Sequence, residues 1–120
     1  MPVVFNDVKQ VLDTIIANWQ AGNGGVAPQL TLVHGASFIW DTREHLLAAT
    51  AKGIQLIQPG IIGQKGQGAT ANLVVAFTAG IPPYPQMPDN GLDSVSGTYL
   101  DLLSPQVQTI VQWIEGGCLP

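Results

Sequence analysis

The segment GIPPYPQMPDNG, residues 80–91, sets one of the chain's two methionines among four prolines. Proline holds φ near about −65° and removes a backbone donor. Met87 is therefore presented on a stiff, extended loop, as suits a soft thioether aimed at something. His34, in VHGAS, offers an imidazole that can ligate iron or another metal, or can serve as a hydrogen-bonded structural residue. Asp41, Glu44 and His45 form the one close acid–histidine group in the sequence. Adjacent helical residues point in different directions, so a shared metal site there is not expected, and His45 reads as a solvated helix residue. Ser37, in HGASFIW, lacks the G-x-S-x-G elbow of a nucleophilic serine. GQKGQG, residues 63–68, lacks the order of a phosphate loop and reads as a mobile surface loop. AGNGG, residues 21–25, has no strand before it to suggest a dinucleotide site. Cys118 has no sequence neighbour to lower its thiol pKa and reads as a small packing residue.

The elements that must position these groups are mainly helical. In NDVKQVLDTIIANW, Val8, Val11, Leu12, Ile15, Ile16 and Trp19 recur at the spacing of one helical face. Asn6 is the expected N-cap, Asp7 favours the positive end of the helix dipole, and AGNGG stops the helix. TLVHGASFIW is short and apolar, and is expected to be irregular or extended. DTREHLLAATAKG predicts a second helix, with Asp41 and Glu44 at capping-box spacing and Gly53 as its stop. IQLIQPGIIGQKGQGAT is read as loop on its glycine content. Thr70 opens a third helix, with Leu73, Val74 and Phe77 on one face and Gly80 at its end. In SPQVQTIVQWIEGG, Ser104 and Pro105 start a last helix, Val107, Ile110, Val111 and Ile114 face inward, and Gly116–Gly117 end it. Trp113 falls off that strict apolar face. Trp40, just before a helix start, is expected to act as a staple or to line a pocket.

At 120 residues the chain is expected to be one domain with a modest core of its own. Only 10% of its residues are charged, so much of its exterior must be Gln, Asn, Ser, Thr and Gly. A net charge of −4 without a basic stripe argues against nucleic acid. No apolar run approaches the roughly 18 residues of a membrane span. A single cysteine excludes an internal disulfide and a multi-cysteine metal site. A reduced compartment, hence the cytoplasm, is the preferred location, with a mature periplasmic chain as the alternative.

Several segments, in order, resemble class I cytochrome c domains. VKQVLD is similar to the helix leading into the haem motif, and WDTREHLLAA to a segment of one bacterial subgroup. IQPG resembles the family's V-x-P-G turn, TANLVVAFTAG the helix after it, and QMPDNG the axial-methionine loop. LLSPQVQTIVQWIEGGC is similar to the family's C-terminal helix, whose packing tryptophan would be Trp113. The resemblance covers nearly the whole chain and implies an all-α, cytochrome c-like domain of about four to five helices with long loops.

The family's attachment motif, Cys-x-x-Cys-His, would fall on Ile16, Ala17, Asn18, Trp19 and Gln20. No cysteine stands there, and Gln replaces the iron-ligating His, so covalent haem is excluded on chemistry. Met87 then either fills the core, as methionine does well, or keeps a role facing a metal or pocket. Ile16, Trp19, His34, Trp40, Met87 and Trp113 are the candidate pocket residues, since a former cofactor volume suits a small apolar ligand. The expected function is non-enzymatic: binding of a small ligand, or of a protein partner or second copy through an uncharged surface. The alternatives are electron transfer with noncovalent haem held by Met87 and His34, and a small enzyme or accessory subunit using Asp41, Glu44 or His45.

Overall fold

A computed structural model describes residues 2–22, 25, 35–81 and 102–120. Helix α1 spans Phe5–Gly22, and Val8, Leu12 and Ile15 form its buried stripe. Its cap differs from expectation. The Asp7 carboxylate reaches back to the Val4 N–H at 2.9 Å, the reciprocal half of a capping box. Asn6 therefore lies inside the helix, and the acid that suits the dipole also satisfies an end donor.

Helix α2 spans Arg43–Ala48, with Thr42 as its N-cap. The Thr42 hydroxyl accepts from the His45 N–H at 3.1 Å, so the expected cap is displaced by one residue from Asp41. The helix also ends five residues short of Gly53. Ala49 turns extended, and Thr50–Ala51 (β1) pairs antiparallel with Ile54–Gln55 (β2). Lys52 and Gly53, at φ 52° and 81°, make the two left-handed residues of a tight hairpin turn. Gly53 thus serves the hairpin, not a helix end. The early turn carries Leu56 and Ile57 into the core beside Ala49.

The glycine-rich stretch after the hairpin is not wholly loop. It holds two short 3-10 turns, Pro59–Ile61 and Gly68–Thr70. Thr70 belongs to the second of these, and helix α3 begins two residues later, spanning Asn72–Thr78. Leu73, Val74 and Phe77 are buried as expected, and Gly80 closes the helix at φ 82°. Amide side chains clamp this region together. Gln58 Oε1 accepts from the Asn72 N–H at 2.9 Å, and Asn72 Nδ2 donates to the Gln55 carbonyl at 2.8 Å. Gln58 Nε2 donates to the Thr70 carbonyl at 2.9 Å.

Helix α4 spans Pro105–Glu115, preceded by Ser104. Val107, Ile110, Val111 and Ile114 are buried, and so is Trp113, at 0% exposure. The helical wheel placed Trp113 off the core face. The structure buries it because α1 covers that side: the Phe5 and Trp113 rings lie 6.2 Å apart at 51°. One carbonyl ties the first and last helices. Leu119 O accepts both the Phe5 N–H and the Trp113 indole N–H at 2.9 Å. Among the described residues the architecture is mainly helical with one small hairpin. No helix among them is long and apolar enough to cross a membrane.

Candidate functional site

The candidate residues distribute along α1. Ile16 and Trp19 are half-buried on its last two turns, at the positions aligned above with haem attachment. Trp40 meets the same helix about a turn earlier, its indole N–H donating to Asp13 Oδ1 at 2.9 Å. Trp113 instead belongs to the Phe5 end. At about 1.5 Å rise per residue, that end lies roughly 16 Å of helix from Ile16. Trp40 therefore meets the middle of α1, Ile16 lies one turn further on, and Trp113 lies towards the helix start. His34 and Met87 lie outside the described residues.

Trp40 is held from two sides. It stacks edge-on against Phe38, with ring centroids 5.4 Å apart at 85°, and both rings pack against the core. Asp13 in turn receives the Lys9 ammonium on its other oxygen at 2.7 Å. Partial burial pushes the Asp13 carboxyl up. Hydrogen bonds from Lys9 and Trp40, with the lysine charge, outweigh this and leave it below the ordinary 3.8.

The acid–histidine group is a surface pair. His45 Nδ1 lies 2.5 Å from Asp41 Oδ1, with both side chains more than half exposed. The hydrogen bond from His45, with its charge, holds the Asp41 carboxyl low. Glu44 points to Arg43 at 4.0 Å. Among the described residues no three His, Cys, Asp or Glu side chains are placed to hold a metal.

The chain's thiol is not available at the attachment positions. Cys118 is wholly buried, and burial pushes its pKa up to about 11 despite the Arg43 charge. Its carbonyl receives the Arg43 Nε–H at 2.6 Å. Gln20, which the resemblance sets in place of the iron-ligating His, donates its amide to the Gly25 carbonyl at 2.9 Å. This donor set does not fit covalent haem attachment.

One feature was not legible in the sequence: an open groove of about 400 Å³ between α1 and α4. Val3, Asp7, Gln10, Val11 and Thr14 line one wall, and Gln106 and Thr109 the other. Its lining is divided between two helices far apart in the chain, so it exists only where they are set side by side. Among the described residues Ser37 has no histidine placed beside it. Its hydroxyl pairs with that of Thr50 at 2.7 Å.

No family model matches the chain, and no curated protein or solved structure matches it.

Proposed function

We propose that the chain is a haem-free, cytochrome c-like domain, all-α in plan apart from its hairpin. It acts as a non-enzymatic module that binds a small apolar ligand or a protein partner. The supporting observation is the division of labour along α1. Its first turn packs on Trp113 of the last helix, the position to which the resemblance assigns the packing tryptophan. Its last turns carry Ile16 and Trp19, half-buried apolar side chains, where the family carries thiols and a ligand. Large side chains of that kind contribute dispersion contacts to an apolar guest and fix nothing covalently.

Two measurements test this reading. Protein produced with haem in excess should show no Soret band after purification. A band would overturn the haem-free reading in favour of noncovalent haem. Titration with a neutral apolar dye should change the emission of Trp19, identified by its loss in Trp19→Phe. Light scattering reports the second mode, a partner in the form of a second copy. A monomer whose tryptophan emission ignores the dye would leave the binding proposal without support.

A further inference from the structure

The groove between α1 and α4 has an apolar floor and polar walls. Val3 and Val11 are half-buried and pack against the core. Asp7, Gln10 and Thr14 stand exposed along the α1 wall. Their spacing of i, i+3 and i+7 sets them on one helical edge for roughly 10 Å. Gln106 and Thr109, half-buried on the first turns of α4, form the other wall. Little of this polar capacity is spent within the molecule. Thr109 donates its hydroxyl to the Pro105 carbonyl at 2.9 Å, and one Asp7 oxygen accepts from the Val4 N–H at 2.9 Å. Among the described residues no hydrogen bond engages the Gln10 and Gln106 amides or the Thr14 hydroxyl. Asp7 is the one charged side chain of the lining, and no cation stands beside it there.

Each class of guest meets this surface differently. A primary amide donates and accepts at once, and so does a hydroxyl. The walls therefore match a guest that does both at several points. An anion would only accept, and would face the Asp7 carboxylate without a cation to offset it. A bare cation would leave every amide N–H of the walls without an acceptor. A wholly apolar guest would strip water from the walls and return no hydrogen bond. A sugar suits each part. Its hydroxyls donate to Asp7 and exchange hydrogen bonds with the amides, while the C–H face of its ring lies on Val3 and Val11. We propose that the α1–α4 groove is a binding site for a neutral mono- or disaccharide. Its volume of about 400 Å³ lies within the ~300–1,000 Å³ of small-molecule sites. Water competes for each bond in an open groove, so binding is weak, with a Kd of about 1 mM. The inference goes beyond the apolar-ligand reading, which concerns Ile16 and Trp19 on the last turns of α1. The two sites stand or fall separately.

Proton–nitrogen NMR titration of the full chain with maltose, lactose, sucrose and N,N′-diacetylchitobiose reads the site directly. At least one sugar should shift the amides of Asp7, Gln10, Thr14, Gln106 and Thr109 together and saturate. Gln10→Ala and Gln106→Ala, one on each wall, should each weaken that sugar by roughly two- to tenfold. Core amides in the same spectra report the fold of each variant, and Thr14→Val replaces either one that loses it. Asp7→Asn keeps an acceptor, so sugar binding should survive within about tenfold. Putrescine, glucose 6-phosphate and tetra-alanine probe the cation, anion and peptide alternatives. No response to any of the sugars at about 50 mM, far above the expected Kd, would overturn the proposal. So would a response to the control compounds alone, a sugar affinity unchanged in both alanine variants, or its complete loss in Asp7→Asn.

Discussion

Gly68 and Gly60 both sit in 3-10 turns of the glycine-rich stretch, yet alanine should affect them in opposite directions. A Cβ on Gly68 would stand 2.7 Å from the Val111 carbonyl oxygen, 2.8 Å from Val111 Cγ1 and 3.0 Å from Glu115 Cγ. Carbon contacts relax only near about 3.5 Å, so the turn must retreat from α4 by most of an ångström. The carbonyl is helix backbone and cannot swing away. Overpacking of this kind costs about 1–3 kcal/mol. Retreat also stretches the bond from the Gly68 N–H to Glu115 Oε2, 3.1 Å long. Against this, alanine restricts the unfolded chain, worth about 0.4–1 kcal/mol. A Cβ on Gly60 meets nothing within 4 Å and needs no left-handed φ, so Gly60→Ala keeps that gain with no clash. The unfolded-state gain is common to both, so the two variants should differ by the overpacking cost, about 1–3 kcal/mol, with Gly68→Ala the weaker. For a domain of this length that is roughly 4–12 °C in Tm. Thermal and urea melts followed by far-UV circular dichroism give both values. Agreement between the variants within about 0.5 kcal/mol, the scatter of neutral surface changes, would refute the docking of the Gly63–Gly68 run on α4.

Three further outcomes follow from the same contacts. Trp113→Phe removes an indole N–H from Leu119 O and leaves a small void in a wholly buried site. It should lower stability by about 1–3 kcal/mol in urea melts. Asp13 has its carboxyl held below 3.8 in the folded state, so its contribution is complete above the unfolded pKa and is lost as pH falls through the folded one. Asp13→Asn should accordingly flatten the fall in Tm on acidification below about pH 4. Cys118, raised from 9.0 to about 11, should react with iodoacetamide at pH 8 at least about 100-fold slower than in urea, from its thiolate fraction alone.

What the sequence disclosed was local. Helices α1 and α4 were readable because each carries its own apolar stripe, and because Pro105 and Gly116–Gly117 punctuate α4. The end of α2 was not, because AATAKG favours helix locally while the core requires Leu56 and Ile57 to return beside Ala49. Lys52 gives no warning of a left-handed φ. Its place in the hairpin turn is imposed by the strands around it. The cap of α2 was misread by one residue because Asp41 and Thr42 are both good caps, and Asp41 is drawn instead to His45. Trp113 shows the limit of the helical wheel. Its burial depends on Phe5, more than a hundred positions away in the chain. The site suffers most from this limit, since both the Trp40–Asp13 hydrogen bond and the α1–α4 groove exist only between elements.

Long connections around short helices raise the question of what organises them when the chain has no Cys-x-x-Cys-His to hold a covalent haem. The described residues answer with amides. The side chains of Gln58 and Asn72, the latter on the Gln55 carbonyl, fasten the hairpin, the approach to the Pro59–Ile61 turn and the start of α3 to one another. The Gly63 N–H reaches the Ile114 carbonyl at 2.8 Å, fastening the next turn to α4. An amide side chain donates and accepts at once, so one residue can satisfy two backbone groups of an irregular segment. It does so without the desolvation cost of a charge. A composition of 10% charged residues is then more than a surface property. It supplies the neutral groups that let irregular backbone pack against helices with its polar groups satisfied. If such clamps carry the loops, Asn72→Ala should loosen the hairpin and the Pro59–Ile61 turn together, and hydrogen exchange should rise in both. Exchange confined to α3 would mean that the loops are held by something else.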